Sequence, residues 1–270
     1  AGDTFSSELE LKKWLETHEC VICGSDQIWN NNITGNGGAY FAVDCNVKKI
    51  SYAASLGTTQ LNETQKSNII NYLPSFSSIS VREPGSAEQL TKILHREIQV
   101  VLDPVFLLDR DEWRKLSRPV SVDSNYLFLY FLQENEKLLE CAKKYAEENG
   151  LKIYEVHPTL ATRHNGCKRL ENVGPKEFIW LIENASCVCT NSFHATAFST
   201  IFRKKLIHIP NSKSPERTTS LLERVGIELK TDKEFPFYDI SLCDDTNLNF
   251  EIKKSKKFLD AVMESEQYGN

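Results

Sequence analysis

The chain has no apolar run of the roughly 18–20 residues that a membrane-spanning helix needs. It also has no visible secretory signal, because residues 9–15 form an amphipathic, charged stretch. These absences argue against an integral membrane protein and against a secreted one. We therefore expect a cytoplasmic protein, and peripheral association with a membrane stays open.

An excess of basic charge is missing as well. The formal net charge is −5, whereas nucleic-acid-binding domains usually carry basic patches, so we expect no nucleic-acid partner. Internal repeats and low-complexity segments are also absent from the sequence.

Zinc-type spacing is incomplete. Eight cysteines are present, and Cys20 and Cys23 have CxxC spacing, but no second CxxC or histidine pair follows at the required distance. Cys20–Cys23 and Cys187–Cys189 lie in apolar runs that are typical of buried strands, where cysteine acts as a small hydrophobic residue. We predict no metal site, no cofactor and reduced cysteines.

The chain does contain enough apolar residues for two cores. It has 270 residues, of which 40% are hydrophobic. Short apolar runs alternate with amphipathic stretches, which predicts an α/β fold with mainly parallel sheets. Predicted strands include 21–23, 49–53, 79–81, 100–102, 126–131, 152–156, 187–189 and 206–209.

We predict two Rossmann-like domains facing a cleft. A charged, irregular connection at 109–124 follows the first set of strands, so the boundary is placed between domains 1–122 and 123–270. The last predicted helix, 251–264, has a surface pattern, and we expect it to pack back on the first domain. No strand precedes residue 21 in the pattern, so we expect the first domain to be incomplete at its N-terminus.

Polar residues follow the predicted strands of the first domain. Asp26 follows a strand that ends at a glycine, Arg82 follows 79–81, and Asp103 follows 100–102. Arg82 could bind a phosphate or carboxylate, or pair with an acid of its own domain. Asp26 could lie at the mouth of the cleft or form a turn, and Asp103 could orient a ligand hydroxyl or form a turn. The neighbouring Ser25 and Gln27 are candidates for acceptor contacts or structural roles.

The second domain has polar residues at two predicted helix starts. Asn191, Ser192 and His194 follow strand 187–189, and Arg217 and Thr218 begin another helix. Helix N-termini favour anions, and histidine exchanges protons near neutral pH. On their position at a helix start alone, a helix cap and an ordinary hydrogen-bonded histidine are the favoured explanation of Asn191, Ser192 and His194.

Six stretches together resemble the polysaccharide pyruvyl transferase family. They read GSDQIWN, KKISYAASLG, ISVREPGS, VLDPVFLL, GPKEFIWLIENASCVCTNSFHATAFSTIF and ERTTSLLERVGI, in the order found in the family. The resemblance implies a GT-B-like architecture, with the acceptor on the first domain and the donor on the second. It also implies a bacterial enzyme of exopolysaccharide biosynthesis that transfers pyruvyl from phosphoenolpyruvate to a sugar or lipid-linked oligosaccharide, forming a ketal.

Carried over by position, the resemblance associates Arg82 and His194 with donor binding or catalysis. We predict that His194 and Asp26 are catalytic and that Arg82, Asn191, Ser192, Arg217 and Thr218 bind the donor. Family members often have an arginine two residues before the histidine, where this chain has Ser192. Arg217 is the candidate replacement. This departure keeps two alternatives open, a sugar-nucleotide-dependent glycosyltransferase of GT-B type and a non-catalytic member that only binds.

Overall fold

The computed structural model describes residues 4–43, 45–159, 162–210, 215–230 and 234–264. The chain divides into two compact units, one of Ala1–Leu107 together with Asn249–Asn270, and the other of Leu108–Leu248. The sequence-based boundary, between residues 122 and 123, thus falls inside the second unit.

The first unit is built on a parallel sheet. Its strands lie in the order β1-β2-β3-β4, and each pairs in parallel with its neighbour. The strands are β1 (Cys20–Cys23), β2 (Lys48–Ala54), β3 (Ser78–Val81) and β4 (Gln99–Val100), and the helices are α1 (Glu8–Leu15), α2 (Asn31–Thr34), α3 (Glu63–Tyr72) and α4 (Pro84–Leu94). Strands β2 and β3 are almost wholly buried, as central parallel strands usually are.

The second unit contains a larger sheet in the order β10-β9-β8-β5-β6-β7. Its strands are β5 (Tyr126–Tyr130), β6 (Lys152–Val156), β7 (Cys167–Arg169), β8 (Cys187–Thr190), β9 (Lys205–His208) and β10 (Phe237–Asp239), and its helices are α5 (Arg110–Leu116), α6 (Glu136–Asn149), α7 (Pro175–Asn184), α8 (Phe193–Ile201) and α9 (Glu216–Arg224). All pairings are parallel except that of β9 with β10. The α/β fold with two Rossmann-like parts is therefore confirmed.

The connection predicted to be irregular contains a helix, α5. Asp109 and Glu112 form a capping box at its start, and the ring of Trp113 lies edge-on to Phe198 with centroids 5.0 Å apart. Arg110 also donates a hydrogen bond to the Ile201 carbonyl. This segment packs on the second unit, so the prediction of an irregular connection was wrong over 110–116.

The last helix, α10 (Thr246–Glu264), continues into the first unit. The Ser255 hydroxyl accepts a hydrogen bond from the Leu102 backbone N–H at 2.8 Å, and Phe258 and Leu259 pack against the buried patch around Tyr52. The helix therefore covers the end of the first sheet where β4 finishes. Among the described helices, none combines the length and apolar character that crossing a membrane requires.

Among the described residues, the cysteines are not joined in disulfides. Burial raises the pKa of Cys23 to about 12 and holds that of Cys189 well above its ordinary value. One expectation was wrong, because β1 is an edge strand in which Ile22 is exposed and Cys20 only half-buried. The buried thiols act as packing residues because they stay protonated near neutral pH.

Candidate functional site

The strand ends of the first unit carry a cluster of charged side chains. Arg82 directly follows β3, and its Nη1 lies 2.8 Å from Asp103 Oδ2 and 3.3 Å from Asp26 Oδ1. Its Nε lies 2.9 Å from Glu83 Oε1. Parallel strands deliver their carboxyl ends to one edge of a sheet, which explains why residues so far apart in sequence meet here. The sequence predicted three of these four positions.

The charges of this cluster differ in exposure. The side chains of Arg82 and Asp103 are each 1% exposed, whereas that of Asp26 is 61% exposed. Three carboxylates surround one guanidinium, so the cluster is negative as a whole. Two roles were considered for Arg82, binding a phosphate or carboxylate and pairing with an acid of its own domain. In the structure, Arg82 pairs with acids of its own unit. It places Asp26 as the outward-facing group.

The backbone around Asp26 is fixed by its neighbours. Gly24 has φ +134°, and a Cβ there would lie 2.1 Å from the Tyr52 carbonyl oxygen, so only glycine fits. Asp26 has φ 66°, a conformation that aspartate tolerates better than most residues, and its carbonyl accepts from the Ser55 N–H. The Asp26 carboxylate is therefore presented from a defined backbone.

Two flanking residues of this loop have structural partners. The Ser25 hydroxyl lies 2.9 Å from Asp103 Oδ2 and 3.0 Å from the Ala53 carbonyl oxygen, both of which can accept its proton. Gln27 Oε1 accepts from the Asn30 amide at 2.9 Å. Asp103 Oδ1 caps the turn that follows β4 by accepting from the Val105 N–H. These contacts support the structural role for Ser25, Gln27 and Asp103.

In the second unit, Asn191 and Ser192 connect β8 to α8. The Asn191 Oδ1 accepts from the Leu132 N–H at 2.8 Å, and its amide donates to the Gln133 carbonyl at 2.7 Å. Ser192 is the N-cap of α8, and its hydroxyl accepts from the Ala195 N–H. Both residues are buried. Their polar groups hold the loop after β5 and the start of α8.

His194 and Arg217 are the partly exposed members of the second group. His194 lies in the first turn of α8 and is half-buried, next to the ring of Phe193. The Arg217 guanidinium carbon lies 5.7 Å from the centroid of that same Phe193 ring. Phe193 thus stands between a cation and an imidazole at the starts of two helices. Of the residues predicted at the two helix starts, His194 and Arg217 are the ones that are not fully buried.

His208 is a residue that the sequence analysis did not single out. It is fully buried at the end of β9, with Nδ1 3.0 Å from the Thr190 carbonyl oxygen and Nε2 2.7 Å from the Thr218 hydroxyl. Nδ1 therefore donates and Nε2 accepts, which is the neutral tautomer. Burial lowers the pKa of His208 to about 4. The Thr218 hydroxyl hydrogen-bonds to His208, and this hydrogen bond fixes the first turn of α9 beside Arg217.

Comparison with known proteins agrees with this architecture. The family model of polysaccharide pyruvyl transferase matches residues 3–213, a range that ends before Arg217 and Thr218. The comparison with curated proteins finds no match.

Three solved structures share the fold. The UDP-GlcNAc 2-epimerase of Methanocaldococcus jannaschii, in complex with UDP-GlcNAc and UDP, has TM-score 0.55 at 16% identity over 80% of this chain and 66% of its own. That of Neisseria meningitidis, bound to UDP-GlcNAc, has TM-score 0.54 at 13% identity, covering 95% and 80%. A putative UDP-N-acetylglucosamine 2-epimerase of Listeria monocytogenes has TM-score 0.54 at 12% identity, covering 94% and 69%. At these identities the likeness shows a GT-B-like fold.

Proposed function

The chain belongs to the polysaccharide pyruvyl transferase family, and from this premise we propose that it transfers the pyruvyl group of phosphoenolpyruvate to a sugar, forming a ketal. The acceptor is a sugar or lipid-linked oligosaccharide of a cell-surface polysaccharide precursor. The observation that carries the proposal is that the half-buried His194 and Arg217 both lie next to the Phe193 ring, at the starts of α8 and α9. An anionic enol donor requires both a proton donor and a cation.

The donor is held by anion-binding groups of the second unit. The N-terminus of α8 supplies roughly half a positive charge. Ser192 adds no charge, so the remaining charge comes from Arg217, whose guanidinium is oriented by Phe193. We assign the phosphate or carboxylate of the donor to Arg217 on this ground.

The chemistry is an addition followed by a displacement. His194 gives a proton to the methylene carbon of the enol, which leaves a cationic carbon bonded to the phosphate oxygen. One sugar hydroxyl forms a C–O bond to that carbon and passes its proton to Asp26. The second hydroxyl then forms the other C–O bond while the C–O bond to phosphate breaks, and its proton returns to His194. Phosphate leaves with the electron pair and takes up the proton held by Asp26, which restores both residues.

Arg82 takes a supporting role in this scheme. Its guanidinium contacts Asp26 at 3.3 Å while it is buried between Glu83 and Asp103. It therefore orients the exposed carboxylate. The scheme needs Asp26 of the first unit and His194 of the second to meet at one ligand, and that convergence on a cleft stays a prediction.

A sugar-nucleotide-dependent glycosyltransferase is the second candidate. The observation that favours it is the fold shared with epimerases whose structures contain UDP-GlcNAc. A non-catalytic member that binds the donor without turnover is the third. The three differ in which ligand stabilises the protein, because a ligand stabilises the state that it binds.

The test uses the full chain with phosphoenolpyruvate, UDP-GlcNAc and a panel of acceptor sugars. We expect phosphoenolpyruvate to raise the melting temperature and an acceptor to trigger phosphate release. His194→Gln should lower the release rate by roughly 10²–10⁴-fold, the usual contribution of a general acid. The exposed His95 is the matched control, and His95→Asn should leave the rate unchanged.

The outcomes separate the candidates. Stabilisation by UDP-GlcNAc alone would favour the glycosyltransferase. Stabilisation by phosphoenolpyruvate without phosphate release from any acceptor would favour the non-catalytic member. Phosphate release that survives His194→Gln undiminished would remove His194 from the mechanism.

A further inference from the structure

A second group of ionisable side chains lies at the carboxyl ends of β5, β6 and β7, and the proposed reaction does not use it. Glu155 in β6 is 1% exposed, and Arg169 in β7 is 8% exposed. Glu134, in the loop between β5 and α6, is 54% exposed. His157 and His164 complete the group, which we name the His164 cluster.

The contacts of His157 fix its tautomer. Its Nδ1 accepts from the Thr159 N–H at 3.0 Å, so the ring proton is on Nε2. Nε2 donates to Glu134 Oε2 at 2.8 Å. A neutral imidazole with its proton on Nε2 makes this bond to Glu134, so the interaction does not require an added proton.

His164 is placed differently, since each of its ring nitrogens faces a carboxylate. Nδ1 lies 2.7 Å from Glu155 Oε2, and Nε2 lies 3.4 Å from Glu134 Oε1. The Nδ1 contact is a hydrogen bond, whereas the Nε2 contact is an ion-pair distance. A neutral imidazole can make the hydrogen bond to Glu155 with its one N–H, and only the imidazolium also attracts the Glu134 carboxylate as a counter-ion. The bridge between β6 and the β5–α6 loop is therefore complete only when His164 is protonated.

The surrounding charges agree with a protonated His164. Arg169 Nη1 lies 3.0 Å from Glu155 Oε1, while Arg169 Nη2 donates to the carbonyls of His157 and Thr159. Two carboxylates, one guanidinium and one imidazolium sum to zero, whereas a neutral His164 leaves one negative charge in excess. The thiol of Cys167 also faces Glu155, and burial raises its pKa to about 11, so it adds no charge.

The cluster connects to the candidate donor site through the β5–α6 loop. Glu134 is adjacent in sequence to Gln133, whose carbonyl accepts from the Asn191 amide at 2.7 Å. The N–H of Leu132 in the same loop donates to Asn191 Oδ1 at 2.8 Å. Asn191 begins the turn that leads into α8. A loop held at Glu134 is thus a loop that also holds Asn191.

From this geometry we propose that His164 is a pH-responsive positioning residue, which in its protonated form clamps Glu134 to Glu155 and thereby fixes Asn191 at the start of α8. Its effect on the donor rests on the proposed function, whereas its effect on the loop does not. The clamp should loosen at a pH high enough to leave His164 neutral, because the neutral ring attracts the Glu134 carboxylate less strongly.

The first test follows the loop alone, by hydrogen exchange of the full chain at pH 6 and pH 8.5. After correction for intrinsic exchange, we expect protection of the peptide covering 131–135 to fall about two- to fivefold at the higher pH, the scale of losing a partly exposed ion pair. His164→Gln should show the low protection at both pH values. The exposed His18 gives the control His18→Gln, which should behave like the parent. Equal protection in the parent and His164→Gln at both pH values would overturn the proposal.

Glu134→Gln provides a second variant in case His164→Gln folds poorly, because Glu134 is half exposed. It removes the carboxylate that His164 bridges and should also abolish the pH dependence of protection. A pH dependence that persists in Glu134→Gln would overturn the clamp.

The second test measures phosphoenolpyruvate binding by calorimetry at the same pH values. We expect His164→Gln to weaken binding several-fold at pH 6 and to have less effect at pH 8.5. If loop protection responds as expected but phosphoenolpyruvate fails to bind the parent, the proposed function fails and the clamp stands. If loop protection responds while affinity in parent and variant is the same, the link through Asn191 is overturned.

Discussion

Buried ion pairs hold the strand ends of the first unit together. In the second unit, neutral hydrogen bonds hold the starts of helices α8 and α9. In the first unit, Arg82 is enclosed with Asp103 and Glu83, and the exposed group is Asp26. In the second, neutral His208 joins Thr190 to Thr218. Beside that framework lie the half-buried His194 and Arg217.

This difference affects how readily each unit can bind an anionic ligand. A buried ion network fixes an acid firmly, but it has little capacity for a further anion because its charge is already negative. A neutral framework leaves the charge of a nearby cation available for a ligand. We therefore expect substitutions in the first unit to change stability most, and substitutions near α8 and α9 to change ligand affinity.

The largest expected effect is that of Arg82→Ala on stability. The substitution leaves Asp103 and Glu83 buried without their cation, and breaking a buried ion pair usually costs about 3–5 kcal/mol. Urea denaturation of the full chain should show the lower unfolding free energy. Lys92→Ala, which removes a surface ion pair with Glu88 in the same unit, is the control and should change little. An undisturbed unfolding midpoint in Arg82→Ala would mean that the network contributes nothing.

The sequence located Arg82 and Asp103 but could not assign their relation. Apolar runs that end in polar residues predict strand ends, and parallel strands bring those ends to one edge. Whether an arginine there binds a ligand or an acid depends on the register of neighbouring strands, such as Val81 opposite Val100. The spacing of these residues along the sequence does not reveal the register in which the strands pair. The sequence alone therefore could not distinguish an Arg82 that binds a ligand from an Arg82 that pairs with an acid of its own domain.

Other differences had a signal in the sequence. Asp109 and Glu112 have the spacing of a capping box, which would have predicted α5. The sequence gives less warning of β7, which is short and contains Lys168 and Arg169. His208 ends a visible apolar strand, but its partners come from β8 and α9, so its role depends on the fold.

The next effect in size concerns His208 and pH. Its pKa is lowered from 6.5 to about 4 by burial, so the unfolded chain takes up a proton at a higher pH than the folded chain does. Stability from this group is therefore present above pH 6.5 and is lost as pH falls towards 4. This pKa shift corresponds to roughly 3 kcal/mol of unfolding free energy.

Unfolding free energies measured between pH 7 and pH 4 test this expectation. His208→Asn removes the titrating group, so its stability should fall less steeply over that range than the parent's. His95→Asn is the control, because His95 is exposed and asparagine tolerates its positive φ. Parallel pH profiles for the parent and His208→Asn would show that His208 is not held neutral.

The smallest effect we predict is on ligand affinity, for Arg217→Ala. The loss of a hydrogen bond to a charged group should weaken phosphoenolpyruvate binding by about 1.5–3 kcal/mol, with little change in stability because Arg217 is only half-buried. Arg217→Lys should restore part of the affinity, since lysine keeps the charge but lacks the planar fork that stacks on Phe193. Arg224→Ala, at the other end of α9, is the matched control.

Calorimetric titration of the folded variants with phosphoenolpyruvate makes the comparison, and Arg82→Ala is titrated in the same series. If Arg82→Ala lowers affinity and Arg217→Ala does not, the anion is held by the first unit. If neither changes it, no arginine clamp exists at this site.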